Sequence, residues 1–174
     1  MVAFSRTKLE PLRDQLRARG QRPSIVAPAP ATSKELIEAM QLVEEWGAFT
    51  EAMYLVMAAD RRVLNVEREV LRGALAVLSN ERVRTRHMEA MLDAAARRVA
   101  SEGADQRLEK VIQSLKGDAA RAETAAIVAA AIAAADQRFA PEEHTILTKL
   151  FNGLGIGDAR TAAILADLES QLAK

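Results

Sequence analysis

Two aspartates, Asp60 and Asp136, each close an apolar, alanine-rich run. Each is followed by further acids at a similar distance, Glu67 in the first case and Glu142 and Glu143 in the second. Carboxylates are hard oxygen donors, and Ca²⁺ takes six to eight oxygens from carboxylates, carbonyls and water. An aspartate at a helix C-terminus also meets the negative end of the helix dipole, at a cost of about 0.3–1 kcal/mol, so something must compensate it. If the two loops converge, Asp60, Glu67, Asp136, Glu142 and Glu143 would form one divalent-metal site, with calcium its natural occupant. Otherwise each aspartate is satisfied inside its own loop, by Arg62 or Arg138 or by the first backbone donors of the next helix. The arginines favour the local arrangement, and neither loop has the oxygen spacing of an EF-hand. No cofactor is required on this reading.

The remaining reactive residues offer little chemistry. His87 and His144 are the only histidines, and neither has the His-x-x-x-His or Glu-x-x-His partner that builds a metal site on one helix. No nucleophile stands beside a base in the pattern that covalent catalysis needs, so an enzyme is not expected and neither is a small-molecule substrate. Met40, Met53, Met57, Met88 and Met91 recur at helical spacing and read as core filler, with a docking groove as the alternative. Arg82, Arg84, Arg86, Arg97 and Arg98 are interspersed with Glu81, Glu89 and Asp93, which reads as a solvated helix face.

The elements that must position these residues are all helices. Ser33 can cap a helix with Glu35 and Glu38 in its first turns and Leu36, Ile37, Met40 and Val43 on its apolar stripe. Trp46-Gly47 reads as a break before a second run from Phe49 to Ala59. Further helices are expected over about 66–79, 81–102, 104–116, 119–135, 141–153 and 158–172, separated at Gly103, Gly117 and Gly155/Gly157. No segment alternates with period two, so no sheet is expected. The alanine-rich helix ending at Ala135 should be central, because small side chains let neighbouring backbones approach closely. Asn65 suits an N-cap, and Pro141 suits the first position of its helix.

The two acidic loops are copies of one pattern. Met57-Ala58-Ala59-Asp60-Arg61-Arg62-Val63 aligns without gaps to Ala133-Ala134-Ala135-Asp136-Gln137-Arg138-Phe139, 76 residues later. In the same register Glu67 meets Glu143, Leu71 meets Leu147, Ala74 meets Leu150 and Leu75 meets Phe151. Repeat units around 49–79 and 125–155 would pack about a pseudo-two-fold axis and share one core. The fold expected is therefore all-α, a compact bundle of about seven or eight helices with internal duplication over 33–174.

The stretches AAADQRFAPEEHTILTKL (133–150) and MAADRRVLNVEREVLRGAL (57–75) resemble the TerB-like family associated with tellurite resistance. The resemblance covers 33–174 loosely and these two stretches closely. It implies an all-helical fold, an acidic surface site for divalent metal, and a role in stress-response complexes near the inner membrane. Family members read Asp-Gly-Glu where this chain has Asp60-Arg61-Arg62 and Asp136-Gln137-Arg138. Both loop acids are thus replaced by arginine.

Composition narrows the rest. The formal net charge is zero and aromatics make up 3%, so neither a duplex nor a stacked single strand of nucleic acid is an expected partner. There is no cysteine, hence no disulfide or thiolate metal site. The longest apolar run, 127–135, is far shorter than a bilayer span, and no secretory signal is evident, which points to the cytoplasm. Residues 1–32 hold six basic residues against two acidic ones and end in a segment with three prolines, so they read as a flexible basic arm and linker. Leu9, Leu12 and Leu16 could form a short helix within it. The expected role is a non-catalytic scaffold or sensor that binds a protein partner. The alternative is a peripheral membrane adaptor whose residues 1–22 find anionic lipid at the inner face of the membrane.

Overall fold

The computed structural model of the chain describes residues 9–21, 32–136, 138 and 140–172, the last five without their side chains. Eight helices follow one another: α1 (Leu9–Gly20), α2 (Ser33–Met57), α3 (Asn65–Leu78), α4 (Thr85–Glu102), α5 (Ala104–Leu115), α6 (Ala119–Ala133), α7 (Pro141–Gly153) and α8 (Asp158–Leu172). Among the described residues there is no strand, and the fold is the all-α bundle that the periodicity predicts.

Helix α6 is the axis of the bundle. Every residue from Ala125 to Ala133 is buried, and α6 touches α1, α2, α3, α7 and α8. Alanine permits this because it adds almost no bulk around the helix and loses no rotamer freedom on folding. Asp118 caps the first turn, its Oδ1 accepting from the N–H of Ala120 at 3.0 Å and of Arg121 at 3.1 Å. The second half of α2 is the other central element, with Phe49, Met53, Val56 and Met57 fully enclosed.

Three local expectations are corrected. The break expected at Trp46-Gly47 does not occur, and α2 runs unbroken through it. A mid-helix glycine costs only about 1 kcal/mol, which the buried second half of the helix outweighs. The α2 N-cap is Thr32 rather than Ser33: Thr32 Oγ1 accepts from Glu35 N, and Glu35 Oε2 accepts from Thr32 N, a reciprocal capping box. Asn65 is the first residue of α3, not its cap. By contrast Pro141 stands at the start of α7, as its missing N–H favours.

The described part of the N-terminal segment is a docked helix rather than a loose arm. Leu9, Leu12 and Leu16 are buried, and α1 lies against α3, α6 and α8. The approach to α3 is backbone to backbone. A Cβ on Gly73 would fall 1.8 Å from the Leu16 carbonyl oxygen, and one on Gly20 would fall 1.8 Å from that of Glu69. Arg72 Nη1 donates to the Gly20 carbonyl at 2.6 Å, closing the C-terminal end of α1. Arg17 pairs with Glu69 at 3.0 Å and Arg19 with Glu81 at 2.6 Å, so these cations face the chain's own carboxylates. The other basic residues of the segment, Arg6, Lys8 and Arg22, lie outside the described residues, as does the proline-rich stretch. Among the described residues, no helix is long and apolar enough to cross a membrane.

Candidate acidic site

The loop after α2 and the loop after α6 are built by the same two hydrogen bonds. Asp60 Oδ1 accepts from the backbone N–H of Arg62 at 2.8 Å, and Asp136 Oδ1 accepts from that of Arg138 at 2.9 Å. Seven residues beyond each aspartate, a glutamate folds back over the start of its helix. Glu67 Oε2 accepts from Leu64 N at 2.6 Å, and Glu143 Oε2 accepts from Ala140 N at 2.8 Å. Each aspartate thus closes a turn and each glutamate satisfies a donor that the helix start leaves open. The left-handed turn needed after Asp60 falls on Arg61, at φ 65°.

The link between aspartate and arginine is therefore made by the backbone, not by the guanidinium. Arg62 and Arg138 are both exposed, while Asp60 and Asp136 are half-buried and Glu67 and Glu143 are buried. Nor is each aspartate received by the first donors of the next helix, as the sequence suggested: it takes the loop N–H two residues on, ahead of α3 and α7, which begin at Asn65 and Pro141. These bonds do not describe the electrostatics.

Burial, helped by Glu143, Asp136 and Asp60 against the lowering pull of its bond from Leu64, pushes the Glu67 carboxyl up to about 8. Burial likewise pushes Glu143 up to about 7, helped by Asp136, Asp60 and Glu142 against the bond from Ala140. Carboxylates from both loops act on both glutamates, so Asp60, Glu67, Asp136 and Glu143 form one electrostatically coupled acidic centre. At pH 7 such a centre holds protons that isolated carboxylates would have released. Glu142, the fifth acid singled out in the sequence, is exposed beside it and acts on Glu143 alone.

The donor chemistry suits a hard cation, since four carboxylates are present and each keeps one oxygen free of the backbone bonds described. The spacing is looser than a closed coordination shell. Among the described residues, no three acidic or imidazole side chains are gathered so that they could hold a metal ion. Of the two histidines, His144 is exposed on α7, and His87 is at the start of α4. There its ring faces Arg84 N at 3.2 Å and Arg86 Nε at 3.1 Å, and burial lowers its proton affinity.

Sequence reasoning missed one buried acid. Glu51, on the enclosed half of α2, meets Arg107 Nε at 2.6 Å and Arg98 Nη2 at 2.7 Å. Its signal was a lone acid inside an otherwise apolar run, Phe49 to Ala59. Its partners lie 47 and 56 residues away, and no local pattern connects them.

Residues 47–166, which hold both loops and all four carboxylates, match the family model described as "Tellurite resistance protein TerB". No curated protein and no solved structure matches the chain.

Proposed function

The chain belongs to the TerB family of tellurite resistance proteins, and from that premise we propose that it is a non-catalytic scaffold or sensor whose responsive element is the acidic centre between its two loops. The observation that carries this reading is the coupling itself. Glu67 and Glu143 stand on different helices, yet each feels Asp60 and Asp136 together. Four carboxylates in mutual reach are relieved by any added positive charge, and their protons come off as a set rather than singly.

At neutral pH, protons on Glu67 and Glu143 provide that charge. A divalent cation is the competing occupant. Asp60, Glu67, Asp136 and Glu143 would hold it only by drawing closer together than the fold sets them, and it would supply a fixed charge in place of the protons. Affinity in oxygen-donor sites follows the number of charged ligands and the rigidity of the site. Arginine in place of the acid at the third position of each loop, Arg62 and Arg138, therefore argues for a weak site, with a dissociation constant on the order of 0.1–1 mM. The remaining helical surface is left for a protein partner.

Calorimetric titration of calcium into the chelator-treated full chain at pH 7 tests this, run in two buffers of different ionisation enthalpy. The expected result is weak binding, lost in Asp136→Asn, with a heat that depends on the buffer because protons leave as calcium enters. No heat and no shift in melting temperature up to about 10 mM calcium would reduce the centre to a proton-holding element of the fold.

A further inference from the structure

The first half of α2 presents an apolar face to solvent. Leu36 is 54% exposed, Ile37 55%, Met40 64% and Val43 48%, and among the described residues these are all the large apolar side chains left exposed. Four such residues confined to one helix face form a surface, whereas scattered ones would mean little. Leu36, Met40, Val43 and Gly47 follow the four-three-four spacing of a two-helix seam, with Ile37 on its flank. Leu36 to Val43 precede the family-matched region, and Gly47 is its first residue.

We propose that this face pairs with its counterpart on a second copy of the chain, two α2 helices crossing antiparallel with Leu36 of one over Gly47 of the other and Met40 against Val43. Size complementarity is the first argument. A Cβ built on Gly47 meets nothing closer than Val43 Cγ1 of its own helix, at 3.8 Å, so there is room above it for a leucine from outside. In the antiparallel register the largest gap of the seam therefore receives a large side chain. A parallel register would set Gly47 against Gly47 and leave a void there.

Charge gives the second argument. In this register Glu44 comes level with Ala39 and Ile37 with Trp46; Glu38 comes level with Glu45, but at helical spacing both stand on the side of α2 away from the seam, so no two like charges meet along it. The other acids of the segment are already engaged. Glu45 pairs with Arg82 at 3.1 Å, Glu35 closes the Thr32 capping box, and Glu38 lies 4.0 Å from Lys34. The antiparallel crossing also sends the two bundles to opposite ends, because the second half of each α2 is enclosed in its own body. Four half-exposed side chains offer on the order of a few hundred Å² per copy, against the roughly 1,200 Å² in total of a stable interface. The pairing is therefore weak and set by concentration.

Sedimentation of the full chain across roughly 10–500 µM tests the pairing, and the absence of cysteine allows its register to be tested as well. The apparent mass should climb above the 18.9 kDa of one chain as concentration rises. Met40→Glu should raise the dissociation constant at least tenfold while leaving the melting temperature unchanged, since the side chain touches no core. Under mild oxidation, Leu36→Cys chains mixed with Gly47→Cys chains should cross-link to each other more than either does to itself. A mass of one chain throughout the range overturns the proposal and leaves the face to a different partner. Leu36→Cys chains that link to themselves as readily as to Gly47→Cys chains overturn the antiparallel register.

Discussion

Glu51 has both carboxylate oxygens committed, Oε1 to Arg107 Nε and Oε2 to Arg98 and Arg107, at a position only 2% exposed. Removing one partner of a buried ion pair leaves the other's charge uncompensated, which costs about 3–5 kcal/mol. Glu51→Ala should lose stability at the lower end of that range in urea denaturation, because Arg98 is partly open to water. Glu51→Gln should lose less, since an amide oxygen still accepts from Arg107. Glu67 behaves oppositely. Its value is raised in the fold, so the proton it holds contributes stability that is complete below about pH 4.5 and is lost as pH rises towards about 8. Glu67→Gln keeps an acceptor for Leu64 N without the charge, and should stabilise the chain at pH 8 by about 1 kcal/mol or more while changing little at pH 5. Spacing alone singled out Asp60, Glu67, Asp136, Glu142 and Glu143, but assigned the aspartates donors in the next helix where the loop N–H groups of Arg62 and Arg138 serve. It could not reveal that Glu67 and Glu143 are buried, because a glutamate three residues into a helix is ordinarily a solvated capping residue. Burial depends on the packing of α3 and α7 against the rest of the bundle, which no local pattern encodes.

At the scale of elements, α3 to α8 were legible from apolar periodicity and glycine breaks, and the centrality of α6 from its alanines, whereas α2 read as two helices. Two features depended on tertiary contacts. Helix α2 continues through Gly47 because its second half is fixed by burial, and α1 is held by close packing that a twelve-residue helix could not supply alone. Gly73 is the point where that packing is tightest. Gly73→Ala puts a methyl group into the Leu16 carbonyl, where backbone lies on both sides and cannot yield cheaply. The helix-propensity gain of alanine, about 1 kcal/mol, is outweighed. We expect a net loss of about 1–3 kcal/mol and faster amide exchange in α1, measured by hydrogen–deuterium exchange, with α5 unaffected.

For the molecule as a whole, the loops that follow the two central helices, α2 and α6, feed one charge centre, so global stability and the state of the centre are linked. Both raised glutamates favour the protonated fold, hence thermal stability should decline as pH rises from about 5 to 8, steepest between the ordinary glutamate value of 4.5 and about 7, and levelling off as Glu143 and then Glu67 titrate near about 7 and about 8. Millimolar calcium should offset that decline at pH 8 and have little effect at pH 5, where protons already occupy the carboxylates. The coupling between the loops is the claim on which the functional reading depends. Carbon-detected NMR titration of the side-chain carboxyls of Glu67 and Glu143, in the full chain and in Asp60→Asn and Asp136→Asn, measures it directly. Midpoints near 8 and 7 that both fall when either aspartate is neutralised are the predicted result. Midpoints near 4.5, or shifts confined to the loop that carries the substitution, would contradict a shared acidic centre.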